Sequence, residues 1–140
     1  MSMRPAYRIA GMNEHFIRMS LQAFLDCMVR HEVTDIELWA GLPHLYAPDA
    51  GRETVRDVQR QIAERGLRVI CYTPEQCVYP FNMAAKEQRL IDWTLAYYRR
   101  NIEIAAELGA PMFQIVPGAG YRNEPSTEAR KRSLDAIERV

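Results

Sequence analysis

Glu37 is the residue of this chain whose type and position most directly suggest chemistry. It lies in the segment 34–49, TDIELWAGLPHLYAPD, whose pattern indicates a short buried strand followed by a polar, aromatic loop. A carboxylate in a strand covered by helices needs a polar partner or a solvent-filled opening. Glu37 is therefore predicted either to bind the hydroxyl groups of a ligand or to form an ion pair with an arginine, such as Arg8 or Arg68.

Three other side chains follow or end candidate strands. His44 lies beside a proline in the loop, where it either contacts a ligand or orders the loop through a hydrogen bond. Glu75 follows Pro74 at a strand end and either binds a ligand or is solvated. Tyr72 either forms an apolar wall for a ligand or packs beneath a loop, and packing is favoured. No metal-ligand spacing accompanies these residues.

The elements that must position these residues follow from hydrophobic periodicity. A helix is predicted after a Ser20 N-cap, a second after Asp49 with its end at Gly66, a third over 86–108 with Gly109 beyond it, and a fourth after a Ser126 cap. Strands are predicted over 7–12, 35–39, 67–72 and 112–116. Because strands and helices alternate, the pattern predicts four βα units with a parallel sheet and right-handed crossovers.

The loops distinguish two arrangements of these units, a small open sheet and half of an eight-unit barrel. The loops after the second, third and fourth strands are long, aromatic and polar, whereas those before the strands are short. Active sites of βα barrels are built from the loops at the carboxyl ends of the strands, so this asymmetry favours half a barrel. The last helical pattern reaches Val140 without a cap, which suggests a truncated chain.

Composition argues against several classes of protein. The 140 residues carry 18 basic and 18 acidic side chains, so bulk charge gives no support to nucleic-acid or membrane-surface binding. No apolar run is long enough to span a membrane, and the polar N-terminus does not read as a secretory signal. Three cysteines without a CxxC pair fit a reduced, cytoplasmic setting. The length predicts one domain, and no linker divides it.

The loop motifs resemble a known family. Glu37-Leu38-Trp39 with Pro43-His44 and Ala47-Pro48-Asp49, then Tyr72-Thr73-Pro74-Glu75, Tyr79-Pro80-Phe81-Asn82 and Ala119-Gly120-Tyr121, look like the sugar phosphate isomerase/epimerase family with xylose isomerase-like TIM barrels, and most like fructoselysine 3-epimerase-like proteins. The resemblance covers nearly the whole chain. One local departure is Val116-Pro117-Gly118, where relatives can carry polar groups, including histidine.

The resemblance implies a (βα)4 half of a TIM barrel from an enzyme that moves a proton next to a carbonyl of a sugar or sugar phosphate. Two glutamates and a divalent metal, Mn²⁺ or a similar cation, are implied for the complete enzyme, on later strands that this chain does not contain. This chain is accordingly expected to hold no catalytic residue and no metal ligand. The resemblance and the loop positions together give the candidate substrate-binding set: Glu37, Trp39, His44, Tyr72, Glu75, Asn82 and Tyr121.

Two other functions stay open at this point. The chain could be a non-catalytic half-barrel that pairs with itself or with a second half through its exposed sheet edges, and a stable monomer would argue against this. It could also be a metal-dependent DNA-repair endonuclease of the same superfamily, which zero net charge disfavours. Tight binding of duplex DNA at physiological salt would favour the nuclease.

Overall fold

The computed structural model describes residues 9–76 and 81–140 and shows helices alternating with parallel strands. The strands are β1 (Ala10–Met12), β2 (Asp35–Ala40) and β3 (Arg68–Pro74), in the sheet order β1-β2-β3. The α-helices are α1 (Leu21–Arg30), α2 (Arg52–Ala63), α3 (Gln88–Glu107) and α4 (Ser126–Ile137). A short 3-10 helix, Asn13–Phe16, occupies part of a segment predicted as loop. Residues 7 and 8 of the first predicted strand lie outside the described residues.

Local signals place most helix ends where the sequence predicts them. The Ser20 hydroxyl accepts a hydrogen bond from the Ala23 N–H at 3.1 Å and caps α1. Gly66 and Gly109 take φ values of +65° and +70° after α2 and α3, a conformation that glycine adopts without steric cost. The prediction that Ser126 caps the fourth helix is wrong, because Pro125 is the N-cap of α4 and Ser126 is already its first helical residue.

The fourth predicted strand, 112–116, is reduced to one bridge. Phe113 pairs with Tyr72, through a Tyr72 N–H to Met112 carbonyl bond of 2.9 Å and a Gln114 N–H to Tyr72 carbonyl bond of 3.0 Å. After Gln114, a side chain takes the place of the backbone partner that β3 would supply: the Val116 N–H donates to the Gln76 side chain at 2.8 Å. The segment is therefore aligned parallel to β3 without forming a continuous strand with it. The four βα units in half-barrel order are nevertheless confirmed.

The two faces of the sheet differ. Ile36, Leu38 and Ala40 are completely buried against α1 and α2, in the core that also contains Phe24 and Leu25. Glu37 and Trp39 alternate with them along β2, so they lie on the opposite face, where they are only half-buried. That face, called the inner face below, is where polar side chains of successive strands come together. None of the helices in the described ranges is long and apolar enough to cross a membrane.

Candidate functional site

The inner face carries a row of three polar side chains on adjacent chain segments: Glu37 of β2, Thr73 of β3 and Gln114 of 112–116. The Thr73 hydroxyl donates to the Glu37 carboxylate at 2.6 Å and lies 3.1 Å from the Gln114 amide oxygen. A hydroxyl has a single proton, so Thr73 donates to Glu37 and accepts from Gln114 when the amide is turned by 180°. The row is a connected chain of hydrogen bonds at the centre of the inner face.

Glu37 does not pair with Arg68. The Arg68 guanidinium binds Asp35 Oδ1 instead, with Nη2 at 2.6 Å and Nε at 3.0 Å from that oxygen. The predicted ion pair between Glu37 and Arg68 is therefore wrong. The other predicted partner, Arg8, lies outside the described residues. Among the described residues, Glu37 accepts a hydrogen bond from the neutral Thr73 hydroxyl rather than from this arginine.

A bulge in β3 decides which residues join this row. Ile36 is opposite Val69, but the next residue, Glu37, is opposite Cys71, so β3 contains one extra residue at position 70. Because side chains alternate between faces, the extra residue reverses the alternation after it. Thr73 therefore lies beside Trp39 on the inner face.

The same bulge removes Tyr72 from the inner face. Its side chain is completely buried, stacks on Phe113 with ring centres 5.7 Å apart, and donates to Asn101 of α3 at 2.9 Å. Burial raises the pKa of Tyr72 far above its usual range. Tyr72 is separated from the other candidate residues, and its position agrees with the packing alternative.

Asn13 fixes Trp39 and His44 at the end of β2. Its side chain accepts from the Trp39 N–H at 2.7 Å and donates to the Trp39 carbonyl at 2.9 Å, and its amide nitrogen lies 2.9 Å from His44 Nδ1. His44 Nε2 lies 2.9 Å from the Met19 carbonyl oxygen. These contacts fit a neutral ring that accepts at Nδ1 and donates at Nε2, so both nitrogens of the buried His44 order the loop.

Glu75 and Gln76 connect the end of β3 to α3. The Glu75 carbonyl accepts from the Tyr97 hydroxyl at 2.6 Å, while its half-buried side chain stands at the strand end. The amide oxygen of the buried Gln76 accepts from the Val116 N–H and from the Tyr98 hydroxyl, at 2.8 and 2.6 Å. The Gln76 side chain thus gives Val116, at the end of the segment 112–116, the acceptor that a neighbouring strand would otherwise supply.

Asn82 joins the two long loops that follow β3 and the segment 112–116. Its amide oxygen accepts from the Ala84 and Ala119 N–H groups at 2.9 and 3.1 Å, and its amide nitrogen donates to the Ala119 carbonyl at 3.0 Å. Gly118 takes φ +90°, and a Cβ there would lie 2.2 Å from Asn82 Oδ1. The close approach of the two loops therefore requires glycine at this position.

Tyr121 lies on the same joined loops. Its hydroxyl donates to Glu87 at 2.7 Å, and that carboxylate raises the pKa of Tyr121. The loop is held by Glu124, which accepts from the Tyr121 N–H at 3.0 Å and binds Lys86, at 3.1 Å, and Arg132. Burial raises the pKa of Glu124, but the Tyr121 N–H and the two cations outweigh it and bring the pKa to about 2.

Comparison with known proteins assigns this arrangement to a family. A family model described as a xylose isomerase-like TIM barrel matches residues 26–140. The chain belongs to this family. The resemblance predicted from the loop motifs is thereby confirmed.

Curated relatives of this TIM-barrel chain include fructoselysine 3-epimerases. The protein from Shigella flexneri is 30% identical over 92 residues, which cover 65% of this chain and 33% of the relative. That from Escherichia coli O157:H7 is 29% identical over 92 residues, with 65% and 34% covered. The chain thus spans about a third of the length of these relatives. The matches point to enzymes of the sugar epimerase and isomerase kind.

Solved structures confirm the fold. The apo form of 3-keto-D-glucoside 4-epimerase from E. coli matches 94% of this chain and 49% of its own, with a TM-score of 0.68 and 15% identity. A xylose isomerase domain protein from Planctomyces limnophilus matches 97% of this chain and 51% of its own, with a TM-score of 0.64 and 14% identity. SacUVDE matches 86% and 43%, with a TM-score of 0.59 and 13% identity. At these identities the likeness is one of fold.

The donor set of the described residues does not fit a divalent cation. Across residues 9–76 and 81–140, no group of three or more His, Cys, Asp and Glu side chains is placed to hold a metal ion. The inner-face neighbours of Glu37 are Thr73, a hydroxyl, and Cys71, a thiol whose pKa is raised by burial and by Glu37 although the Thr73 hydroxyl lowers it. One carboxylate with such neighbours lacks the two or more oxygen or nitrogen ligands that a divalent ion requires.

The structure brings together residues that the sequence prediction did not single out. Thr73, Gln114 and Asn13 make the hydrogen bonds that orient Glu37 and Trp39. Gln114 was detectable in principle, because it is the one polar residue within the apolar run MFQIV. The face on which Thr73 lies could not be predicted from the alternation of side chains along β3, because the bulge at position 70 reverses that alternation.

Proposed function

We propose that residues 1–140 are the N-terminal, substrate-binding half of a sugar epimerase or isomerase barrel domain. The observation that carries the proposal is the row Glu37–Thr73–Gln114 on the inner face, joined by hydrogen bonds of 2.6 and 3.1 Å. In βα barrels, ligands lie at the carboxyl ends of the strands, and Thr73 is next to the last residue of β3. Membership of the xylose isomerase-like family supports the same class of reaction.

The row suits a polyol. A carboxylate is an acceptor only, whereas an amide both donates and accepts, so Glu37 and Gln114 offer complementary partners to adjacent hydroxyls of a sugar. Trp39 provides a half-buried aromatic surface beside them for the C–H groups of the ring. We propose a ketose, a sugar phosphate or a sugar–amine conjugate as ligand, and the fructoselysine 3-epimerases among the relatives favour the conjugate.

The remaining candidates take positioning or rim roles in this proposal. His44 and Asn82 hold the loops that border the site, since their polar atoms bind Met19, Asn13, Ala84 and Ala119. Glu75 and Tyr121 stand at the rim. Tyr72 is omitted because it faces α3. The catalytic glutamates and the divalent metal of the complete enzyme would come from other polypeptide, so the 140-residue chain alone is proposed to be inactive.

A titration of the ¹⁵N-labelled chain tests the binding proposal. Fructoselysine is added to millimolar concentration, and amide shifts are followed by NMR. We expect a Kd in the ~1 mM range, which corresponds to about 4 kcal/mol, with the largest shifts at Glu37, Thr73 and Gln114. Glu37→Gln keeps the shape but loses the charge and should weaken binding about tenfold, while Glu53→Gln, an exposed residue of α2, should not.

Two results would contradict the proposal. Shifts confined to residues outside the inner face would remove the assignment of the binding site. Turnover of the ketose by the purified chain with Mn²⁺ and no second polypeptide would show that the chain contains its own catalytic groups.

A further inference from the structure

The indole ring of Trp39 occupies the space that a side chain at position 41 would take. Gly41 directly follows β2 and lies two residues after Trp39, so the two positions share a face. A Cβ on Gly41 would lie 2.5 Å from Trp39 Cε2 and closer still to Cζ2 and Cη2, far inside van der Waals contact. Gly41 is buried, whereas Trp39 is only half-buried.

The backbone at position 41 does not itself need glycine. In the described part of the chain, Gly66, Gly109 and Gly118 take positive φ values, whereas Gly41 does not. Residues with a side chain therefore fit the backbone conformation here, and the Trp39 indole is the group that requires a position without a Cβ.

Hydrogen bonds hold the backbone on both sides of this contact. The completely buried Asn13 binds the N–H and the carbonyl of Trp39, at 2.7 and 2.9 Å. The Gly41 carbonyl accepts from the His44 and Leu45 N–H groups, at 3.1 and 3.2 Å. Because the backbone is fixed at both positions, a methyl group added to Gly41 would be relieved by movement of the indole, which is the far end of a side chain.

The surroundings of the Trp39 ring favour contact with a ligand over packing in the core. Trp39 is opposite Thr73 in the sheet and shares its face with Glu37. Completely buried aromatic residues such as Phe24 and Tyr72 belong to an apolar core cluster, whereas Trp39 belongs to neither core cluster of the described residues. The ring also extends from β2 towards position 41, the carboxyl end of the strand, where βα barrels bind their ligands.

We infer that Gly41 is a positioning residue, whose missing side chain lets the Trp39 indole lie as a preformed platform for the apolar C–H face of a sugar. The platform is fixed before the ligand arrives, so binding does not have to order this side chain. The platform role rests on the proposed function, whereas the dependence of the indole position on Gly41 does not.

The indole N–H signals of the ¹⁵N-labelled chain test the inference. The chain contains two tryptophans, and Trp93→Phe assigns their signals. In the wild type, fructoselysine should shift the Trp39 signal and leave that of Trp93, which is 51% exposed on α3. Gly41→Ala should move the Trp39 signal in the free chain and raise the dissociation constant for fructoselysine about fivefold, because the ring contact is lost.

Two control variants separate a displaced ring from a general disturbance. Gly51→Ala adds the same methyl group where nothing lies within 4 Å, so the Trp39 signal and the dissociation constant should not change. Trp39→Leu removes the three ring atoms that crowd position 41, so adding Gly41→Ala to it should not lower the urea midpoint further. If Gly41→Ala alone does not fold, the double variant should fold, because the crowded ring is gone.

Three results would overturn the inference. These are a Trp39 signal that Gly41→Ala leaves in place, unchanged fructoselysine binding by that variant, and an equal loss of stability from Gly41→Ala with and without Trp39→Leu. A wild-type chain that does not bind fructoselysine would contradict the proposed function and the platform role. A Trp39 signal moved by Gly41→Ala in that chain would still support the positioning of the indole by Gly41.

Discussion

The β2–β3 pair and the segment 112–116 have similarly apolar sequences but are held in different ways. β2 pairs with β3 along its whole length, and Ile36 and Leu38 are completely buried beneath the helices. The segment 112–116 has one bridge to β3, and Met112 is mostly exposed. The difference teaches that a β-prone sequence forms a continuous strand only where both a ladder partner and a covering layer are available.

Side chains replace the ladder in the carboxyl-terminal region. Gln76 accepts from the Val116 N–H, Ser133 donates to the Pro117 carbonyl at 2.8 Å, and Asn82 binds both backbone groups of Ala119. The Arg132 guanidinium donates to the Ala84 carbonyl at 2.8 Å. This region is therefore expected to respond to the loss of single polar groups, whereas the β2–β3 region responds to the loss of buried apolar volume.

The largest effect is expected in the β2–β3 region. Leu38→Ala removes completely buried methyl groups and leaves a cavity, so the free energy of unfolding should fall by about 2–5 kcal/mol in urea denaturation. Leu42→Ala, at a residue that is 61% exposed, is the matched control and should change it by less than about 0.5 kcal/mol. Similar values for the two variants would contradict the assignment of Leu38 to the core.

An intermediate effect is expected at the side-chain support of the segment 112–116. Gln76→Met keeps the length of the side chain but leaves the Val116 N–H without its acceptor, which should cost about 1–3 kcal/mol. The Tyr98 hydroxyl loses its bond to Gln76 but keeps the Val116 carbonyl, 3.2 Å away, as an acceptor. Amide exchange at Val116 should accelerate more than at Leu38. Gln88→Met, at an exposed residue of α3, should do neither, and equal acceleration at both amides would contradict a local role for Gln76.

The smallest effect is expected at Glu124, and it depends on pH. The pKa of Glu124 is about 2, below its ordinary value of 4.5, so its stabilising contacts are complete above about pH 4.5 and are lost as the pH falls towards 2. The stability advantage of the wild type over Glu124→Gln should therefore shrink across this range. An advantage that stays constant from pH 6 to pH 2.5 would show that the charge of Glu124 does not hold the loop.

Much of the fold follows from local patterns. α1 begins after the Ser20 cap, and α2 and α3 stop before Gly66 and Gly109, because these signals act through the backbone of a single turn. Glu37 and Trp39 share a face because β2 alternates regularly. The structure places both of them half-buried on the inner face, while their contact with a ligand stays a prediction.

The sequence by itself determined the order of the elements, the family and the position of Glu37, since periodicity, caps and loop motifs are read within short stretches of chain. Only the tertiary structure decided that Tyr72 faces α3 and that Thr73 joins Glu37, because the extra residue at position 70 reverses the alternation of β3 and appears only when β3 is paired with β2. It likewise decided that 112–116 forms a single bridge, since a strand requires partners that its own residues do not specify.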